Sequence, residues 1–397
     1  MRSATLAALL VFFAHAAPAQ DSPSSPGTSE TDAIAPFDDV EVGGAADGAY
    51  LPLALGRDRT GIGLRARLSF GWDSNVHKVD RHDDSAAFGD AIAQAHFGLD
   101  LGKIAAGVRG LAAGRAYFDQ PDGDLWDLRL GGFLKIPYGE GGLGMGLSAD
   151  VLYQQLQTYQ ITSEVARRDD LRAAGVISRA WMGYSFSRFA LEAGLRGKSE
   201  DFTEEPGEPS HDNWEVALDL GLYMDLYALQ LRPFVEVSYT WFRDQFDRDE
   251  MGVPLSDEDK LQLLKFYYGA DFGLNLKVFS VLGRAYTMRQ DDGAEGFERY
   301  WQYGVRAAAD INLVLARLTV GGHLWWREYS DRVDLDPQTG ERSTTTERYA
   351  RLWVEFAYGV AGPLSVGLRY VFERRDSDID NGGFAANEIA LFVEVKF

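Results

Sequence analysis

The chain has 397 residues, of which 46% are hydrophobic and 13% aromatic, yet its mean hydropathy is only −0.22. Beyond the amino terminus it lacks an apolar run of about 20 residues, which excludes a membrane protein built from helical spans. The formal net charge is −21 and the basic residues form no block, so the cationic surface that nucleic acid requires is missing. We therefore expect no nucleic-acid partner.

The first 19 residues have the pattern of a secretory signal peptide. Arg2 precedes an apolar stretch at residues 6–14, and the small residues around Ala17 and Ala19 suit a cleavage site. Residues 20–60 are rich in Ser, Pro, Gly and acidic residues and show no sustained period, which is typical of a flexible segment. We expect residues 1–19 to be removed and residues 20–60 to form a flexible periplasmic leader.

From about Gly61 to the carboxyl terminus, apolar residues recur at every second position, which is the period of a β-strand. In residues 61–72, for example, Ile62 and Leu64 fall on one face of such a strand and Arg65 falls on the other. A helix would place Leu64 and Arg65 nearly side by side. The pattern therefore predicts strands rather than helices.

Short links alternate with long polar links between these segments, and the long ones include residues 157–170, 243–260 and 328–348. The count indicates about sixteen strands with both chain ends on the side of the short links, as in barrels of the outer membrane. In a bilayer every backbone N–H and C=O must be paired within the protein, so such a sheet must close. The sequence predicts an all-β fold, a transmembrane antiparallel up-and-down β-barrel of about 16 strands over residues 61–397.

The predicted registers place many charged residues on the inner face of this barrel, where water removes most of the cost of burying them. Arg and Asp/Glu occur there in similar numbers, which disfavours a dedicated anion porin, because that would need a basic constriction. The predicted lumen-lining residues are Arg65, Arg67, Asp90, His96, Arg109, Arg129, Asp150, Asp219, Arg232, Glu236, Asp271, Arg306, Asp310, Arg351, Glu355 and Arg369.

Aromatic residues concentrate near the ends of the predicted strands. Rings with a polar tip favour the level of the lipid headgroups, so we predict two aromatic girdles at the membrane surfaces. The tryptophans assigned to them are Trp72, Trp126, Trp214, Trp241, Trp301 and Trp326. Further candidates are Tyr117, Tyr153, Trp181, Tyr239, Tyr300, Tyr349, Trp353 and Tyr358.

The last strand places five apolar residues on one face: Ile389, Leu391, Val393, Val395 and Phe397. This row resembles the carboxyl-terminal signature of bacterial outer-membrane β-barrels of the porin-like kind, which ends in Phe after alternating apolar residues. The resemblance covers residues 61–397. It implies a location in the bacterial outer membrane, contact with its lipid, and insertion by the barrel-assembly machinery through the C-terminal strand. It implies nothing about a transported molecule.

A second stretch, residues 71–76, reads Gly-Trp-Asp-Ser-Asn-Val. It resembles the GYDSN-type motif in the first strand of outer-membrane barrels linked to exopolysaccharide export, with Trp72 in place of the commoner Tyr. That resemblance implies a periplasmic component of polysaccharide export as a partner. On physical grounds we expect Asp73, Ser74 and Asn75 to end the strand through bonds from side chains to the backbone. Binding of sugar or metal at the pore mouth is the alternative.

Catalytic and metal-binding groups are sparse. His96 and His323 fall on inward registers, but neither has a Ser two residues away, so neither suits a nucleophile and base pair. His77 and His82 lie in the first long link, where a solvated charged loop is favoured over a metal site. We therefore expect no enzyme activity, no metal site and no cofactor.

These features favour an aqueous channel for polar solutes, and more specifically the outer-membrane pore of an exopolysaccharide export system. One alternative is a general diffusion porin for uptake, which requires a long loop folded into the lumen, formed by residues 243–260 or 328–348. The other alternative is a closed barrel with a structural or adhesive role at the cell surface.

Overall fold

The structure is a computed structural model. It describes the backbone and side chains of most of the strand region, and the backbone alone at residues 156–162, 165–171, 244–246, 331–335 and 342–343. The described residues are 61–76, 85–119, 125–136, 142–162, 165–203, 212–246, 260–276, 278–293, 299–335, 342–377 and 383–397. The predicted signal peptide and leader, residues 1–60, lie outside them.

Sixteen β-strands make up the described part of the chain. They are β1 Gly61–Asp73, β2 Ala86–Asp100, β3 Ala105–Tyr117, β4 Leu125–Ile136, β5 Leu143–Thr162, β6 Val165–Phe186, β7 Phe189–Thr203, β8 Asn213–Leu226, β9 Leu229–Phe246, β10 Lys260–Asn275, β11 Phe279–Asp292, β12 Tyr300–Asn312, β13 Ala316–Leu335, β14 Arg342–Ala361, β15 Leu364–Ser377 and β16 Phe384–Lys396. None of the described residues forms a helix long and apolar enough to cross a bilayer.

Each strand pairs with its sequence neighbours in antiparallel fashion, and β1 pairs with β16, so the sheet closes into a barrel. At the closure, Arg65 lies opposite Lys396 and Trp72 lies opposite Ile389. Closure leaves no free strand edge, which is the condition for a sheet in hydrocarbon. The predicted fold is confirmed in class, topology and strand count.

Several strands continue beyond the ends that the sequence predicts. Residues 157–170 were expected to form a long link, but β5 and β6 pair through this segment up to Thr162 and Val165. Likewise β13 and β14 occupy most of residues 328–348. The alternation of apolar residues ends there in the sequence, whereas the backbone ladder needs no apolar side chain to continue. The prediction of long links at these two places was wrong for that reason.

The connections define two ends of the barrel. Short turns join β2 to β3, β6 to β7 and β8 to β9, and the last of these comprises only Tyr227 and Ala228. Both Gly61 and Phe397 lie at this short-turn end. The opposite end, called here the long-loop end, carries the longer connections, including residues 247–259, which lie outside the described residues.

Candidate functional site

The outer face of the barrel is apolar and exposed. On β8, Leu218 and Leu220 have 53% and 49% of their surface exposed, whereas Asp219 between them is only 8% exposed. On β16, Leu391 is 65% exposed. Such a band around a closed sheet is stable only in hydrocarbon, because water would leave a large apolar surface uncovered. The chain is a β-barrel protein of the bacterial outer membrane.

The predicted girdle tryptophans all lie on the outer face of the barrel, in the half near the long-loop end. Trp214 and Trp241 stack with ring centroids 6.5 Å apart, and the Trp126 indole N–H donates a hydrogen bond of 2.7 Å to Gln155. At the short-turn end, exposed Tyr184 and Tyr227 take the corresponding place. The two rims therefore differ: the long-loop rim carries these tryptophans together with tyrosines such as Tyr153 and Tyr239, whereas Tyr184 and Tyr227 mark the short-turn rim.

Five further girdle candidates face the inside of the barrel instead: Tyr117, Trp181, Tyr300, Tyr349 and Trp353. Tyr117, Tyr300 and Trp353 are buried there, with 3–6% of their surface exposed. The assignment of these five to the girdles was wrong. Alternation along the strand decides which face a ring occupies, and its nearness to a strand end does not.

Several inner-face rings lie flat over a glycine of the neighbouring strand. The Phe392 ring covers Gly367, where an added methyl group would lie 2.2 Å from a ring carbon. The Arg67 guanidinium in turn lies 4.1 Å from the centroid of Phe392. Phe88 is held in the same way between Gly71 and the Arg115 guanidinium, at 4.0 Å. At these two places the wall thus has three layers of glycine, ring and arginine, with the cation toward the lumen.

This layering predicts the effect of filling one of the glycine positions. A methyl group at Gly304 would lie 2.3 Å from Cζ of Tyr286. Gly304→Val must displace that ring and disturb its hydrogen bonds with His323 (3.2 Å) and Gln302 (3.0 Å). We expect the free energy of unfolding to fall by about 1–3 kcal/mol, measured by denaturant titration of the barrel in detergent.

Gly110→Val is the matched control. Gly110 faces outward, and a methyl group there would meet no atom nearer than the Arg129 carbonyl oxygen at 3.8 Å. Valine also suits a strand better than glycine, so stability should be unchanged or slightly higher. Equal losses in both variants would contradict the layered wall.

One network of charges joins the two ends of the sheet near the short-turn end. The Arg67 guanidinium donates two hydrogen bonds of 2.8 Å to Glu355 and lies 3.3 Å from Glu394. Arg65 donates to Glu394 at 2.7 Å, and Arg317 to Glu355 at 3.3 Å. Arg67 and Glu355 belong to β1 and β14, between which β16 and β15 lie. The network therefore braces the β1–β16 closure from inside.

A second network braces the same closure near the long-loop end. Arg115 binds Asp90 through Nε at 2.7 Å and Nη2 at 3.1 Å, and its Nη1 donates to Glu388 at 2.9 Å. Arg369 donates to the other oxygen of Glu388 at 2.5 Å. Charge-assisted, two-pronged contacts of this kind are the stronger class of hydrogen bond.

A third network crosses β6 to β11. Asp271 accepts from Arg284 at 2.5 and 3.0 Å and from Arg232 at 3.4 Å. Arg232 lies 3.5 Å from Asp219, which is also 3.2 Å from Arg179. Each charge is thus shared between partners, which offsets the cost of removing it from water.

The remaining predicted lumen residues also occupy inward registers. Arg109 pairs with Asp150 at 2.6 Å, Arg129 with Asp127 at 2.6 Å, and Glu236 with Arg196 at 2.9 Å. His96 lies opposite Gly63 and Arg109 in the sheet. Asp310 accepts a hydrogen bond from the Thr319 hydroxyl.

The sequence prediction missed inner-face groups on the strands that alternate poorly. Arg284 on β11 and Arg179 on β6 are examples, because each has apolar or small residues on both sides that hide the period. Pairing with the neighbouring strands would have identified them, since Arg284 lies opposite Asp271 and Arg179 lies opposite Arg196. Arg327 and Glu347, 3.3 Å apart, were missed as well.

The motif at residues 71–76 ends β1 and ties it to β16. Asp73 accepts a hydrogen bond of 3.0 Å from the Asn75 backbone N–H, the Asn75 amide donates to the Ala385 carbonyl at 3.2 Å, and the Ser74 hydroxyl accepts from the Asn387 N–H at 2.7 Å. The predicted bonds from side chains to the backbone are confirmed. Asp73 also accepts from the Tyr117 hydroxyl at 3.1 Å, which connects the motif to the second network.

No group of three or more His, Cys, Asp or Glu side chains that could hold a metal ion occurs within the described ranges. His77 and His82, the candidates in the first long link, lie outside those ranges. His323 Nε2 lies 3.2 Å from the Tyr286 hydroxyl, and its other neighbours include the Tyr349 ring, with centroids 5.6 Å apart.

Comparison with solved structures finds other bacterial outer-membrane proteins. They include a loop-deletion mutant of OmpT from Vibrio cholerae (TM-score 0.42, 11% identity, 85% of this chain and 99% of that one) and OccK2 from Pseudomonas aeruginosa (0.40, 13%, 85% and 97%). A bacterial polysaccharide outer membrane secretin is a third (0.42, 9%, 85% and 98%). At such low scores and identities, none of them supports a conclusion about function. No protein-family model matches the sequence, and no curated protein matches it.

Proposed function

We propose that the barrel is a passive aqueous conduit for polar solutes, without enzyme activity, and that it serves as the outer-membrane pore of an exopolysaccharide export system. Sixteen strands enclose a lumen wide enough for a channel unless it is plugged. The inner wall supports this proposal, because it is lined by arginine, carboxylate, amide and hydroxyl groups rather than by an apolar core.

The observation that carries the proposal is the mutual pairing of these charges. Acidic and basic residues alternate around the inner wall in the three networks, so most of the net charge of −21 lies in other parts of the chain. A wall of paired charges offers many hydrogen-bond donors and acceptors without a strong field of either sign. That surface suits a hydroxyl-rich polymer better than a small ion of one charge.

The motif at residues 71–76 is the specific support for the export function, and a periplasmic export component would be the partner. The barrel-assembly machinery would act on the row Ile389 to Phe397. The uptake alternative has lost one of its two candidate constriction loops, because β13 and β14 occupy most of residues 328–348. Residues 247–259 remain as the candidate constriction loop of a diffusion porin.

Planar-bilayer recording of the purified, folded barrel tests the proposal. We expect a steady conductance with weak selectivity between cations and anions, since the wall charges are paired. Absence of any ionic current would rule out both channel functions and favour the closed adhesive barrel.

Deletion of the gene then separates export from uptake. We expect the deletion strain to lose extracellular polysaccharide while its growth on small nutrients is unchanged. Normal extracellular polysaccharide together with slower uptake of a small solute would replace the export version with the diffusion porin.

A further inference from the structure

One buried carboxylate of the inner wall differs from those of the three networks, each of which binds at least one arginine. Asp310 on β12 is only 4% exposed, yet the Thr319 hydroxyl is the one donor that its carboxylate binds among the described residues. Arg317, two residues before Thr319 on β13, is engaged by Glu355 at 3.3 Å and Glu394 at 3.9 Å. A buried carboxylate without a cation costs free energy.

A second group beside Asp310 also lacks a partner. Within the described part of the chain, the Ser280 hydroxyl on β11 makes no hydrogen bond, although the residue is only 5% exposed. Ser280 lies directly opposite Asp310 in the ladder, and the Cβ atoms of such a pair are about 4.5–5.5 Å apart. One small ion between the two side chains can therefore contact an oxygen atom of each.

Both residues belong to a row of side chains that carry oxygen. Asn275 on β10, Ser280, Asp310 and Thr319 lie directly opposite one another in successive ladders. We call these four residues the oxygen row. Carboxylate, amide and hydroxyl oxygens suit hard cations such as Ca²⁺ rather than soft transition metals. Asn275 is exposed at the end of β10, so the row meets water at the short-turn end.

We propose that the oxygen row is a binding site for a hard cation, with Ca²⁺ as the probe. Asp310 supplies the negative charge, the Ser280 hydroxyl and the Asn275 amide supply two further oxygen ligands, and water completes the coordination. Because the site has a single carboxylate, we expect a Kd of about 1 mM, at the weak end of Ca²⁺ sites in proteins. The proposal revises the expectation of no metal site and does not depend on conduction.

Denaturant unfolding of the full, folded barrel in nonionic detergent tests the site, with either 10 mM CaCl₂ or EDTA present. We expect Ca²⁺ to raise the midpoint denaturant concentration of the wild-type barrel, because a ligand of the folded state stabilises it. Asp310→Asn should lose this shift. Its midpoint in EDTA should equal or exceed that of the wild type, because the amide removes a buried charge that has no cation.

Ser280→Ala removes one ligand and keeps the charge. The CaCl₂ concentration that gives half of the maximal shift should rise about threefold in this variant. If Asp310→Asn failed to fold, this second variant would decide alone, and an unchanged half-maximal concentration would overturn the site.

Asp225→Asn is the matched control. Asp225 on β8 is exposed at the same end of the barrel and lies opposite Gln230, so the change removes one charge without touching the oxygen row. The Ca²⁺ shift should stay as in the wild type. An equal loss in Asp225→Asn and Asp310→Asn would mean that Ca²⁺ responds to net charge alone. A full shift in Asp310→Asn, or no shift in the wild type, would also overturn the site.

Discussion

Leu218→Arg is expected to lower the stability of the membrane-inserted barrel by about 2–4 kcal/mol. Leu218 lies near the middle of β8, faces outward and is 53% exposed. A guanidinium at this depth must leave water for hydrocarbon and finds no partner on the outer face. The free energy of unfolding measured by denaturant titration in lipid vesicles checks the value, and the heat-dependent shift in electrophoretic mobility checks assembly.

Gln230→Arg places the same side chain on the inner face of β9. Gln230 lies opposite Asp225 and is only partly buried, so the new cation gains a carboxylate neighbour and stays in contact with water. We expect a change within about 0.5 kcal/mol. If both variants assembled equally badly, the assignment of inner and outer faces would be incorrect.

Asp271→Asn should cost about 3–5 kcal/mol, the loss typical of removing one partner from a buried ion pair. The Asp271 side chain is 10% exposed and lies between Arg284 and Arg232, whose side chains are 5% and 7% exposed. Asparagine keeps the shape but leaves two guanidinium groups without their shared carboxylate. Denaturant unfolding in detergent gives the difference in free energy.

The control for this variant is Asp376→Asn. Asp376 also pairs with an arginine, Arg374, at 2.8 Å, but the two side chains are 52% and 57% exposed. Solvent screens such a pair, so its loss should cost about 1 kcal/mol or less. A cost for Asp271→Asn no larger than that of the control would mean that water reaches the interior network freely.

The outcome at particular residues shows where sequence reasoning succeeded and where it ended. It placed Leu218 outward and Asp219 inward, because alternation is a local property of a strand. It failed at Trp353 and Tyr300, where nearness to a strand end was used instead of alternation. It also ended β5 and β13 too early, because polar side chains stop the lipid-facing pattern without stopping the backbone ladder.

By itself the sequence determined the closed all-β barrel and its strand number, since a two-residue period with an apolar outer row has few other stable solutions. Only the tertiary structure decided which charges meet. Arg67 and Glu355 are 288 residues apart, and they come together because closure places β1 three steps from β14. The register of the consecutive strands β12, β13 and β14 likewise sets Arg306, His323 and Arg351 side by side, an arrangement that no single strand contains.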